Sequence, residues 1–362
     1  MNKKNFSAAF YAAMLALIVV FGFVLFSGCS RQGASQNASQ KTLTLYSWAE
    51  MFPQDVLDGF EKESGLRINY VNFDYGETML SRLESSRGSG YDLIIVDDYI
   101  LETVVQMGLA QKLDKSKISN YGNINSIYLG QFYDPSDEYT IPYGAGVQTI
   151  VFDPARTKID ITCYADLWDP SLRNRIGIIG NHRVINGMAL KVLGKSYNTE
   201  VIHDIKAAGE KLLGLAPNIR LIKDDQLQDD LLSGEVDAAV MYTSQVTMAK
   251  MENPNLKVVF PTEGIGFGIM AAFIPSRASN PDAAHAFLDY IMDVKRGAKC
   301  FEHLGYYSTY SGSDPYIDPE FKEFLTLPPG FNRDMEMIQN IGEEAEEEHS
   351  SIWTAFKSAS GR

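Results

Sequence analysis

The chain has 362 residues, with 46 acidic against 32 basic side chains, a formal net charge of −14 and three cysteines. That charge argues against nucleic acid and anionic lipid surfaces as partners and suits a cationic ligand. Cys29, Cys163 and Cys300 are too few for a disulfide scaffold. The histidines stand apart at His182, His203, His285, His303 and His349, so no metal or cofactor is expected.

Lys3 and Lys4 precede an apolar run over 8–26 that ends in Leu25-Phe26-Ser27-Gly28-Cys29. The pattern resembles a bacterial lipoprotein signal, in which 1–28 is removed and Cys29 carries the lipid. Such an anchor holds the protein on the cell membrane, facing the periplasm or the exterior. The run is also long enough to cross a bilayer as an uncleaved helix, and both readings place the remainder outside the cytoplasm. Residues 29–40, rich in Ser, Gln, Gly and Asn, read as a flexible linker.

From there strand and helix signals alternate. TLTLYS over 42–47 is a strand, and the next segment carries Val56, Leu57 and Phe60 at helical spacing between Pro53 and Gly65. RINYVNF is the second strand; a helix with Met79, Leu80 and Leu83 follows, then YDLIIV, an unbroken apolar run of the kind buried in a parallel sheet. Beyond YTIPYGAGVQTIVFD the pattern restarts, with a helix at YADLWDPSL, strands at RIGIIG, IRLIK and DAAVMY, and helices between them. The reading is two α/β units in series, with doubly wound parallel sheets. GIGFGIMAAFIP returns through strand-like residues, PDAAHAFLDYIMDVKRGAKCF is an amphipathic helix, and the tail after 333 reads as helical. Trp168 and Trp353 fall inside helical apolar patterns and are expected in cores.

Ligands of such sheets bind beyond the carboxyl ends of the strands. The residues there are Trp48 and Glu50; Asp97, Asp98 and Tyr99; Asp224 and Asp225; and Tyr242. Aromatics and carboxylates with hardly a base among them suit a flexible organic cation, whose ammonium groups pair with acids while its methylenes lie on rings. Each residue also has a structural reading: Asp97 or Asp98 can cap the following helix, Asp224 and Asp225 likewise, and Trp48 can anchor a core. No G-x-S-x-G, H-E-x-x-H or phosphate-binding glycine motif occurs. Catalysis is therefore not expected, and an exported hydrolase using paired acids is the remote alternative.

The stretches LYSWAEMFP, GETMLSRL, YDLIIVDDY, YTIPYGAGVQTIVFD, YADLWDPSLRNRIG, GEVDAAVMY and IQNIG resemble the extracellular solute-binding proteins of ABC importers, most closely the spermidine/putrescine-binding members. The resemblance runs from about Thr42 to beyond Gly342. It implies a type II periplasmic binding fold, two α/β lobes joined by crossover strands that close on the ligand. It also implies docking on permease subunits whose ATPase is a separate chain. Lobe one is then 41–148 plus 276–318, lobe two 149–275, and 319–362 a helical segment closing the hinge region. Cys163 and Cys300 would fall in different lobes and stay as buried free thiols.

By matching positions, Trp48 and Glu50 would meet one end of a polyamine, Asp97 and Tyr99 would lie on the same lobe, Tyr242 would replace a tryptophan, and Tyr306 and Gln339 would complete the wall. Where polyamine binders carry acidic residues this chain has Asn181 and Val184, and where they carry a tryptophan and an aspartate it has Gly268 and Met270. Either Asp97, Asp98, Glu50 and Asp225 take over the ammonium groups, or the ligand is another small cationic solute or an amino acid.

Overall fold

The computed structural model describes residues 41–224, 226–325 and 335–362; Cys29 and Asp225 lie outside them. The first lobe opens with β1 (Thr42–Ser47), α1 (Gln54–Ser64), β2 (Arg67–Asn72), α2 (Gly76–Ser85), β3 (Leu93–Asp97) and α3 (Asp98–Gln106). α1 buries Val56 and Phe60 and stops at Gly65, whose φ of 70° is the left-handed conformation that ends a helix. β1 lies parallel between β2 and β3. Because side chains alternate across a strand, Leu43, Leu45, Leu93 and Ile95 enter one core, with Phe52, Phe60 and Phe287. Tyr46, Ile94 and Val96 enter the other, with Met79, Leu83 and Leu101.

β4 (Thr140–Phe152) is the first crossover. Its residues 140–147 pair with a strand of the first lobe, and 148–152 pair antiparallel with one of the second. The second lobe comprises β5 (Ile176–Ile178), α4 (His182–Val192), α5 (Ile202–Leu213), β6 (Ile219–Ile222), α6 (Leu227–Ser233), β7 (Ala238–Tyr242), α7 (Thr243–Glu252) and β8 (Lys257–Val259). β7, β5 and β6 are parallel neighbours, and β8 edges β4.

The chain returns through β9 (Ile265–Phe273), antiparallel to both β3 and the first half of β4. Then come α8 (Pro281–Ile291), α9 (Val294–Leu304), α10 (Pro319–Leu325), β10 (Met335–Met337) beside β9, and α11 (Glu343–Ser360). α11 buries Ala345, Ile352, Trp353 and Phe356 in the second-lobe core, together with Ile176, Val240 and Leu212.

Three details differ from the sequence reading. Residues 265–273 pair with the first-lobe strands, so the return crossing falls at 260–264 rather than near Pro275. YADLWDPSL forms two short 3₁₀ turns, 164–168 and 170–172, because Pro170 holds Asp169 extended at ψ 130° and prevents one continuous helix. The tail begins as strand β10, and Leu325 of the preceding α10 lies in the first-lobe core while α11 belongs to the second, so 319–362 touches both lobes. Cys163 and Cys300 are free. Among the described residues no helix is long and apolar enough to cross a membrane.

Candidate functional site

Between the lobes lies a cleft of about 750 Å³. Trp48, Glu77, Asp97, Asp98 and Tyr99 reach it from the first lobe, and Asn181, Arg183, Asp224 and Tyr242 from the second. Gly144 and Gly146 of β4 and Gly268 and Met270 of β9 form its floor, and Tyr306, Gln339 and Glu346 close its sides.

The segment after β1 is held by two tyrosines. Tyr70 donates its hydroxyl to the Trp48 carbonyl at 2.6 Å, and Tyr143 donates to the Met51 carbonyl at 2.7 Å. The indole of Trp48 packs on Phe73, centroids 4.9 Å apart, and remains partly exposed toward the cleft. Glu50 behaves otherwise. It sits at φ 58°, exposed, outside the lining, with its carbonyl accepting from His303 Nε2 at 2.8 Å. Of the expected pair Trp48 and Glu50, Trp48 lines the cleft and Glu50 lies in a left-handed turn beside that lining.

Asp97 and Asp98 divide their tasks. Asp98 is buried, its Oδ1 accepting from the Tyr99 N–H at 2.8 Å and its Oδ2 from the Ile269 N–H at 2.9 Å. It stitches α3 to β9 and is a structural carboxylate as much as a lining one. Asp97 occupies the N-cap position of α3 without a side-chain cap bond, and its carboxylate has no hydrogen-bond partner among the described residues. Burial, with the nearby charge of Glu77, pushes Asp97 up to about 7. Burial pushes Asp98 up to about 8, against the pull of the Ile269 N–H and with the repulsion of Asp97 added. Glu77, one residue into α2, accepts from the Tyr99 hydroxyl at 3.1 Å. Its stretch GETMLSRL follows no strand end directly, so the strand-end rule passed over it.

Tyr306 lies against the crossover strand because Gly146 has no side chain: a Cβ there would stand 2.7 Å from the ring. Burial raises the Tyr306 and Tyr242 hydroxyls, and the charge of Asp97 adds to both shifts. Asn181 caps α4, its Oδ1 accepting from the Val184 N–H at 3.2 Å, and Val184 is buried behind it. Arg183 donates to Glu346 at 3.1 Å, and His182 Nε2 stands 2.5 Å from the same carboxylate. This neutralised group went unremarked in the sequence, because Glu346 lies more than 160 residues from Arg183 and reads as one of a run of surface glutamates. Gln339 lines the cleft, its N–H donated to Asn198 at 2.8 Å. Next to it, Asn340 donates to the Tyr99 carbonyl at 3.0 Å and to Glu102 at 2.9 Å, tying the tail to the first lobe. Of the expected site residues the cleft brings together Trp48, Asp97, Asp98, Tyr99, Asn181, Tyr242, Tyr306 and Gln339.

An acid-bearing, ring-walled cleft between lobes joined by crossover strands is a binding architecture, and residues 55–328, well over half of the chain, match the model of a family described as "Bacterial extracellular solute-binding protein". The chain belongs to that family. Among the relatives of this solute-binding protein is the spermidine/putrescine-binding periplasmic protein of Salmonella typhimurium, 31% identical over 307 residues, covering 83% of this chain and 86% of that one. The protein of the same name from Escherichia coli is 30% identical over 314 residues, covering 86% and 88%. A solved structure of the spermidine/putrescine ABC transporter substrate-binding protein from Streptococcus pneumoniae superposes with a TM-score of 0.82 at 25% identity, over 88% of this chain and 99% of that one. The two-lobed type II fold expected from the sequence is the fold observed.

Proposed function

We propose that this protein captures a polyamine, putrescine or spermidine, outside the cytoplasm and delivers it to an ABC importer. The observation that carries the reading is Asp97: a carboxylate without a hydrogen-bond partner among the described residues, set in a cleft walled by Trp48, Tyr99, Tyr242 and Tyr306. A bare carboxylate in partly desolvated surroundings is costly unless a cation meets it, and an ammonium group supplies both charge and donors. Rings beside it cover the methylenes and attract the ammonium ends, at roughly 0.5–2 kcal/mol per contact. The relatives' names point to the same ligand class.

Binding proceeds by closure of the lobes, which desolvates the amine between the rings; no bond is made or broken. On this reading the chain is held to the membrane by lipid on Cys29, and it docks on permease subunits served by an ATPase on another chain. Titration calorimetry of the purified protein with putrescine, spermidine and a panel of amino acids tests the ligand class. Heat with a polyamine and none with the amino acids is expected, and silence with both polyamines rejects the reading. Incorporation of labelled palmitate, abolished by Cys29→Ser, tests the anchor.

A further inference from the structure

A polyamine carries an ammonium group at each end, and on the proposed reading Asp97 meets one of them. Resting on that reading, we infer that Asp224 is the counter-ion on the second lobe, so that the cleft is a two-pole clamp, Asp97 and Asp224, for a linear diamine. Asp224 follows β6 and lines the same cleft, across the interlobe gap from Asp97. Its Oδ1 accepts the Gly180 N–H at 2.8 Å, and its Oδ2 lies 2.8 Å from where Gly180 would carry a Cβ. A side chain at Gly180 would therefore displace the carboxylate from the end of β5. The main chain is fixed as well. Gln245, buried at the start of α7, donates its amide to the Asp224 carbonyl at 2.7 Å and accepts the Tyr242 N–H at 3.2 Å. One side chain thereby sets Asp224 beside the tyrosine that walls the cleft, and the Tyr242 hydroxyl lies in the field of both Asp224 and Asp97.

The remaining acids of the cleft are already engaged. Asp98 holds two backbone N–H groups, Glu77 holds the Tyr99 hydroxyl, and Glu346 is neutralised by Arg183 with His182. Even Lys223, adjacent to Asp224, pairs with Asp230 instead. Asp224 is thus a second-lobe cleft carboxylate with no cation partner among the described residues. A diamine needs a carboxylate at each end, since an unpaired buried ammonium is penalised, and Tyr242 and Tyr306 cover the chain between the two poles.

The test compares putrescine with butylamine, its one-ended analogue, on the full-length protein and on Asp224→Asn, which keeps an acceptor for the Gly180 N–H. Wild-type protein should prefer putrescine. In the variant, putrescine affinity should fall roughly ten- to a hundredfold, the worth of a charge-assisted pair, while butylamine affinity and melting temperature hold, so that the preference collapses. Asp224→Glu should restore part of it. An unchanged putrescine-to-butylamine ratio in Asp224→Asn overturns the clamp but leaves the amine reading standing. Wild-type protein that binds neither putrescine nor spermidine overturns both.

Discussion

Asp97 on β3 stands directly opposite Met270 on β9 in the antiparallel register. The resemblance implies an aspartate in the polyamine-binding members where this chain reads FGIM, and here that stretch is apolar. Opposite residues of such a pair have Cβ atoms only about 4.5–5.5 Å apart, so on the proposed reading the Asp97 carboxylate would stand near the point that an acid at 270 would serve. Met270 then becomes part of an apolar floor, its terminal methyl filling the space left by Gly144.

This placement gives ligand binding a pH dependence. With Asp97 raised to about 7 by burial and the charge of Glu77, much of it is protonated at and below neutrality. An ammonium pairs with the ionised form, so binding releases a proton there. Polyamine affinity should rise by up to about tenfold per pH unit between pH 5.5 and 7 and level off above 8. Titration calorimetry in buffers of different ionisation enthalpy measures the proton directly. Asp97→Asn should bind weakly at every pH and lose the slope; an equally steep profile in the variant would assign the titration elsewhere.

Gly146 is expected to tolerate no side chain. A Cβ there would stand 2.7 Å from Tyr306 Cε1 and 2.9 Å from Cδ1, so Gly146→Ala must push the ring off the crossover strand and into the cleft. Overpacking of this kind costs about 1–3 kcal/mol, visible as a lowered urea midpoint. Polyamine affinity should drop in the same variant. Partial recovery of binding in the double variant Gly146→Ala, Tyr306→Leu, short of wild type because the ring is lost, would separate ring displacement from a general loss of fold.

Thiol chemistry should divide the two described cysteines. Cys300 is fully buried in the first-lobe core, and burial pushes its thiol up to about 12. Cys163, half-buried at the start of the first 3₁₀ turn, is raised less, burial again being the cause. A thiol-disulfide reagent at pH 8 should modify Cys163 slowly and Cys300 only after denaturation. Rapid modification of both in native protein would contradict the packing around Cys300.

Much of the fold was legible because local pattern and tertiary context agree. The unbroken LIIV of β3 announced a strand covered on both faces, and Gly65 marked the end of α1. The lining of the cleft was legible where it follows strand ends, at Trp48, Asp97, Tyr99 and Tyr242. It was less legible where the chain turns left-handed and leaves the lining, as at Glu50, or where partners come from distant sequence, as with Arg183 and Glu346. Pro170 shows a third limit: YADLW carries helical spacing, yet one ring two residues on cuts it to a 3₁₀ turn.

Asp97 and His349 should tilt the pH profile of stability in opposite directions. Asp97 has a folded-state pKa of about 7, above its ordinary 3.8, so the folded protein holds the proton more tightly and stability falls as pH rises from about 4 through 7. His349, fully buried with Asn186 donating to its Nδ1 at 3.1 Å, is pushed by burial down to about 4 from 6.5, so its contribution is present above 6.5 and lost as pH falls toward 4. At full effect the two shifts correspond to about 4 kcal/mol for Asp97 and about 3 kcal/mol for His349, and over the shared window they partly cancel. Asp97→Asn should therefore make the ligand-free protein more stable than wild type at pH 8, with little gain at pH 4, the behaviour expected when a binding group is held at the expense of stability. His349→Gln should flatten the acid side of the profile. Chemical denaturation at pH 4.5, 6.5 and 8 resolves the two, and an Asp97→Asn protein less stable than wild type at pH 8 would show that Asp97 has a partner within the folded chain.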